Sequence, residues 1–432
     1  MKGYLSPPVE VRKLARLIGA DAEDLAYFER LEGQTIRDLR DQVTVVMFDA
    51  DRQLLQRVAT ATKLIPAKLA AVIGERAFGA LLCARITGLL DPSRAVDIAN
   101  HLPVTFLSDL SLHLDPRRAS RVIGEMPPAK VAAIAAELAD SEEYIAMGGF
   151  VGHLSKAALL AALDAVDDES LLRTAYVIEA KQNIASLVAL LPEERLDDII
   201  ATASSADLWI EALDVLDHVT ERQRGVLGDL AAAQDDEVLD SMVRAALSDG
   251  LWSEVLPVVR AMSPESRKRF ATLKSIQARR VLKTIIEAAA EDSLWAELLV
   301  LLPLLPTTAR RQVAALATAF DRGTFEEIMS SAHEEELWPA LIAFAAELDK
   351  GPRREIAKLI DQSDADVLES LLSAVHDDSR EADLVAVLRE LSATGQRRLG
   401  TRIAAAPTEQ LDALTEAAEA AALEPLRKAL TK

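Results

Sequence analysis

"DSLWAELLVL", residues 292–301, holds one of only four tryptophans in a chain of 432 residues. The other three lie in "ADLWIEALDV" (206–215), "DGLWSEVLPV" (249–258) and "EELWPALIAF" (335–344). The tryptophans therefore fall at Trp209, Trp252, Trp295 and Trp338, each behind a leucine, with 43 residues between neighbours. A tryptophan serving one site has no reason to recur on a fixed interval. The spacing reads as architecture.

Placed in register on these tryptophans, the rest of the sequence aligns as well. Four residues on come Leu213, Leu256, Leu299 and Ile342; seven on, Leu216, Val259, Leu302 and Ala345; ten on, Val219, Met262, Leu305 and Leu348. That series is one face of an amphipathic helix. A second face appears at 18 and 21 residues (Phe270/Leu273, Val313/Leu316) and a third at 30 and 33 (Leu282/Ile285, Phe325/Ile328). The repeat therefore reads as three short helices. Asp207, Gly250, Ser293 and Glu336 stand just before the Leu-Trp pairs, and all but the glutamate suit a helix N-cap. A fifth unit has Glu381 in the tryptophan position, with Val385, Leu388, Leu391 and Leu399 behind it. Loss of the large apolar side chain there suits a capping repeat.

Upstream the interval changes. "DPSRAVDIANHLP" (91–103) and "DPRRASRVIGEMP" (115–127) match at an offset of 24 residues, and prolines at 92, 103, 116 and 128 punctuate the region. Each proline is expected to open a helix of about a dozen residues. The chain divides on this reading into a helical head (1–60), helical hairpins (61–140), junction helices (141–206) and five 43-residue repeats (207–432). The stretch from Val43 to Asp49 could pass for a strand, but its flanks are helical in pattern and the helix is expected to run through it. The fold class is all-α, an α-solenoid of helical repeats.

Composition agrees. Half the residues are hydrophobic yet only 4% are aromatic, so Ala and Leu supply the core, as in packed helices. The net charge of −21 repels phosphate backbones and anionic membrane surfaces, which argues against nucleic acid as a partner. The longest apolar run, "LLVLLPLLP" (298–306), is far short of a membrane span, and the opening "MKGYLSPPVEVRKLARLIG" lacks a signal-peptide core. Cys83 is the only cysteine, so no disulfide or thiolate site is expected. A cytoplasmic location follows from these readings.

The stretch "LLDPSRAVDIANHLPVTFLSDLSLHLDPRRASRVIGEMPPAKVAAIAAEL" (89–138), with its recurring Asp-Pro openings and Ala-rich helices, resembles the superhelical amino-terminal domain of MgtE-type magnesium transporters and the helical repeats of the flagellar switch protein FliG. The resemblance covers about an eighth of the chain. In the transporters this domain is a cytosolic sensor, which implies a divalent-cation sensor here as one alternative. No membrane span follows in this sequence. The 43-residue repeats resemble armadillo or HEAT units by architecture.

Chemistry is sparsely signalled. The six histidines form no HExxH and no pair four apart, and no Walker loop, GxSxG or Cys-His pairing occurs. Acidic clusters at 167, 235, 334 and 377 sit where helices meet, as helix dipoles favour. No catalytic residue, no metal ligand and no cofactor is expected. Two features stand out. Fifteen residues after each tryptophan comes Arg224, Arg267, Arg310 or Arg353, and the next position is basic in three of the four. Such a ladder serves either ion pairing between repeats or the grip on an acidic partner. The second feature is "EEYIAMGGFVGHL" (142–154), where Gly148, Gly149 and Gly152 adjoin Tyr144, Met147 and Phe150. With Tyr176 they form the candidate pocket for an apolar small molecule. The functional expectation is a non-catalytic scaffold for protein–protein interaction; a small-molecule carrier or sensor is the alternative.

Overall fold

The computed structural model of the chain describes residues 6–49, 52–405 and 407–431. Part of the opening stretch read above for a signal peptide, residues 1–5, lies outside them. Among the described residues every regular element is a helix, and the fold is an all-α solenoid of helical repeats. None of these helices is long and apolar enough to cross a membrane. The chain forms two compact units, residues 1–220 and 221–432.

In the second unit each 43-residue brick has three helices. The first helices are Trp252–Ala261, Trp295–Leu301, Trp338–Glu347 and Glu381–Leu388. The second are Glu221–Ala233, Pro264–Thr272, Thr307–Leu316, Lys350–Gln362 and Ala393–Ile403. The third are Asp236–Asp249, Arg279–Glu291, Arg322–Glu334, Ala365–Asp377 and Thr408–Ala420. Each first helix packs on the next first helix and on the third helices beside it. Trp252, Trp295 and Trp338 are at most 2% exposed, and Trp209, in the first unit, is 4% exposed. Two of the indoles are anchored as well as buried. Trp295 Nε1 donates to Glu327 at 3.3 Å and Trp338 Nε1 to Ser370 at 3.1 Å, acceptors at equivalent positions of the third helix.

The joint between repeats differs from the capping expected above. Asp207, Gly250, Ser293 and Glu336 are not N-caps; together with Ser379 and Ala422 they lie in the left-handed region, with φ between 54° and 72°. Each ends a third-layer helix, and the following residue returns its N–H to a carbonyl five residues back. Leu208 donates to Ala203 at 2.8 Å, Leu251 to Ala246 at 3.1 Å, Leu294 to Ala289 at 2.9 Å and Leu337 to Ala332 at 2.8 Å. Arg380 to Val375 and Leu423 to Ala418 complete the series at 2.8 Å each. This is the six-to-one bond of a Schellman ending. It explains the small residue six positions before the tryptophan: Ala246, Ala289 and Ala332 are all 0% exposed. The last link, at Ala422, launches a further first helix, Glu424–Leu430, so the fifth repeat is followed by part of a sixth. Glu381, in the vacated tryptophan position, accepts from His376 Nδ1 at 2.9 Å.

In the first unit residues 89–138 form helices Pro92–Asn100, Val104–His113, Ser120–Glu125 and Pro128–Asp140. The helix Gly33–Asp49 runs through the strand-like stretch, as expected. Pro116 departs from the proline rule. It sits in a turn, and the helix after it is only six residues long. The cause is Asp115, whose side chain accepts from Arg117 N at 3.0 Å and holds the chain in an Asx turn. Glu142 repeats the left-handed link, with Glu143 N bonded to Leu138 O at 2.8 Å, so the "junction" opens with the same joint.

Five of the six joints at 43-residue spacing put a non-glycine residue at positive φ, at a cost of about 1–2 kcal/mol each. Gly250→Ala should therefore lower stability by about 1 kcal/mol, and Ser293→Gly at the equivalent joint should raise it by up to about 1 kcal/mol. Urea titration of both variants checks the opposite signs.

Candidate interaction surface

The arginine ladder occupies the first turn of the second helices, and its heads are engaged inside the chain. Arg267 Nε donates to Met262 O at 3.0 Å, Arg310 Nη1 to Leu305 O at 2.9 Å, and Arg353 Nη2 to Leu348 O at 2.5 Å. Each acceptor is the carbonyl five residues back, in the turn that ends the first helix. In the fifth repeat Gln396 stands in the arginine position and makes the same bond, to Leu391 O at 3.0 Å. The outer face of the guanidinium reaches the following repeat: Arg310 pairs with Glu347 at 3.0 Å and Arg353 with Glu390 at 3.6 Å. These arginines rivet the solenoid. Arg224, on Glu221–Ala233, is half-buried at the same register.

The next residue behaves differently. One position on, the helix has turned by about 100°, and Lys268, Arg311, Arg354 and Arg397 project outward, all exposed. Among the described residues no carboxylate pairs with any of the four; Arg397 Nε donates only to Ala393 O of its own helix, at 3.1 Å. Several neighbouring carboxylates are already taken. Glu347 and Glu390 hold the rivets, Glu355 holds Lys358, and Asp361 binds Arg398. The four second helices that carry this row contain twelve Lys and Arg against three Asp and Glu. The third helices of the same repeats contain four against twelve. In a chain of net charge −21 the second-helix layer is thus a basic surface set on an acidic protein.

In the glycine-rich stretch two segments cross at Gly148. A Cβ on Gly148 would lie 3.1 Å from Ile178 Cα and 3.2 Å from Ile178 N, so backbone meets backbone there. Met147 is buried against Leu138, Ala139 and Val166, with Tyr144 packed at the edge, and Thr174 Oγ1 donates to Met147 Sδ at 3.7 Å. Gly152 faces Ala180 Cβ at 3.4 Å, while Gly149 meets only Pro116 Cγ at 3.5 Å. Phe150 is half-buried, and Tyr176 lies under the ammonium of Lys181, 5.7 Å from its ring centre. The missing side chain at Gly148 lets two segments touch. Gly148→Ala should therefore destabilise by about 1–2 kcal/mol through overpacking, whereas Gly149→Ala should stabilise by about 0.5–1 kcal/mol through helix propensity. Thermal melts of the two variants distinguish a crossing from a hollow, because a hollow would accept both.

A charge network in the first unit carries no periodic signal in the sequence. Glu10, 1% exposed, receives Lys13 Nζ at 3.0 Å and Arg40 Nη1 at 3.1 Å. Arg40 also reaches Glu179 at 2.8 Å, and Arg117 clamps Asp41 with two bonds of 2.9 and 3.0 Å while lying 3.5 Å from Glu179. Helices Pro7–Ile18 and Gly33–Asp49 are thereby fastened to the turn at 115–118 and to the segment after Asp168–Val177. Burial pushes the carboxyls of Glu179 and Asp41 up, but the surrounding cations outweigh it and both end below their ordinary values. Burial dominates at Lys13, whose ammonium is depressed despite Glu10. A depressed carboxylate contributes stability that is complete above its unfolded pKa and is lost as pH falls through the folded one. The first unit should therefore lose stability as pH drops below about 4.5, the ordinary glutamate value. Glu179→Gln should cost on the order of 3 kcal/mol at neutral pH and flatten that acid dependence; urea melts between acid and neutral pH read both.

The acidic clusters serve helix ends and ion pairs. Asp167 caps its helix by accepting from Ser170 N at 2.9 Å, Asp168 binds Arg195 at 2.9 Å, and Glu335 binds Arg260 at 2.5 Å. Among the described residues no three His, Cys, Asp or Glu side chains converge as a metal site would require. Neither models of known protein families nor curated proteins match the chain.

Proposed function

We propose that the protein is a non-catalytic helical-repeat scaffold that holds another protein on its second-helix layer. One observation carries this reading. The same surface position holds an unpaired, exposed cation in four successive repeats, while the residue beside it is consumed in holding the repeats together. Side chains that stabilise the solenoid pair internally, as the rivet arginines do. A row left unpaired on a chain of opposite overall charge suits a partner outside the chain. The resemblance of residues 89–138 to a cytosolic sensor domain agrees with a binding part. The lone cysteine fits a cytoplasmic setting.

The test places a photo-crosslinking residue at position 311 or, as a control, at position 283, which is 61% exposed on a third helix. In the cells that make the protein, illumination should yield one dominant crosslinked protein from position 311 and not from 283. Equal crosslinking from both positions, or none from 311, overturns the proposal.

A further inference from the structure

We infer that the partner presents an extended acidic segment with one carboxylate about every three residues, laid across Lys268, Arg311, Arg354 and Arg397. This deepens the scaffold reading and rests on it. Successive bricks stack through their first helices, and stacked helices lie about 8–10 Å apart, so cations at one register of successive bricks form rungs on the order of that interval. An extended chain rises about 3.3 Å per residue. Three residues of such a chain span one rung, and about ten span all four.

The chemistry of the rungs points the same way. Three of the four are arginines, whose planar fork takes a carboxylate with two parallel bonds. Each pair in water is weak, worth at most about fivefold in affinity, so useful binding requires several rungs to be met at once, which fixes both spacing and direction. A second copy of this chain is a poorer occupant. Its acidic third helices could face the basic layer, but that contact joins unlike surfaces and would propagate without closing, against the repulsion of two chains of charge −21. Nucleic acid is disfavoured by the same overall charge.

The experiment uses the full chain and two labelled twelve-residue peptides of identical composition, each with four aspartates. In one they stand at every third position; in the other they are contiguous. Fluorescence polarisation should show the spaced peptide binding at least tenfold tighter, with affinity falling as salt rises. Each single variant, Lys268→Gln, Arg311→Gln, Arg354→Gln or Arg397→Gln, should weaken it two- to fivefold. The fourfold variant should abolish the preference at an unchanged melting temperature; should it melt early, the four single variants decide. Equal affinity for the two peptides, or no response to the single variants, overturns the inference. So does equal or tighter binding of a single-stranded DNA of matched charge, or concentration-dependent self-association lost in the single variants. If position 311 crosslinks a protein and the peptides are not discriminated, the acidic segment falls and the scaffold stands; if 311 crosslinks nothing, the scaffold reading itself falls.

Discussion

A single backbone hydrogen bond, from the residue before each tryptophan position to a carbonyl five residues back, sets the geometry of the 43-residue repeats. It forces one residue into the left-handed region and turns the chain from the end of one third helix into the next first helix. The small side chain at the acceptor lets the leucine close over it. The tryptophan that follows is then delivered to the same place in each brick that carries one, where it is buried, and at Trp295 and Trp338 it reaches a polar group on the third helix. The rivet arginines act one helix later, closing the next turn and clasping the following repeat. Link, anchor and rivet are three local devices, repeated, and none depends on a distant part of the chain.

The first unit is held by a different means. Its head helices are fastened through Glu10, Arg40, Asp41, Arg117 and Glu179, residues far apart in sequence and mutually dependent. Removing a partner leaves Glu10 or Arg40 buried with its charge uncompensated, which makes such a network costly to break although its assembly from water gains little. An apolar cluster of Val11, Leu14, Ala15, Leu25 and Ile36 joins the two head helices, and the charge pairs fasten them to the later segments.

The tryptophan register, the three-helix brick and the helix through Val43–Asp49 were legible in the sequence, because each rests on apolar side chains recurring at helical spacing. The left-handed joints were not. Glycine occupies only one of six, and Asp, Ser, Glu and Ala at the others read as capping or neutral residues. The glycines at 148 and 149 signalled a departure from ordinary packing, but composition cannot separate a hollow from a crossing; the nearness of Ile178 does. The basic ladder was visible yet displaced by one residue. Two adjacent cations differ by about 100° around a helix, and only the structure says that Arg310 turns inward to Leu305 while Arg311 faces water. The charge network of the first unit had no period to reveal it.

The joint at the repeat boundary also bears on how long such a protein can be. The residue in left-handed conformation, its following leucine and the small acceptor recur in the same register from repeat to repeat, so residue 249 could be followed by residue 293 as readily as by residue 250. Removing residues 250–292 would delete one brick and leave an intact joint; duplicating them would add one. Rivet and rung travel with the brick. Length in this architecture is therefore quantised, and genetic gain or loss of material in multiples of 43 residues would lengthen or shorten the basic surface one rung at a time while the fold around it stayed the same.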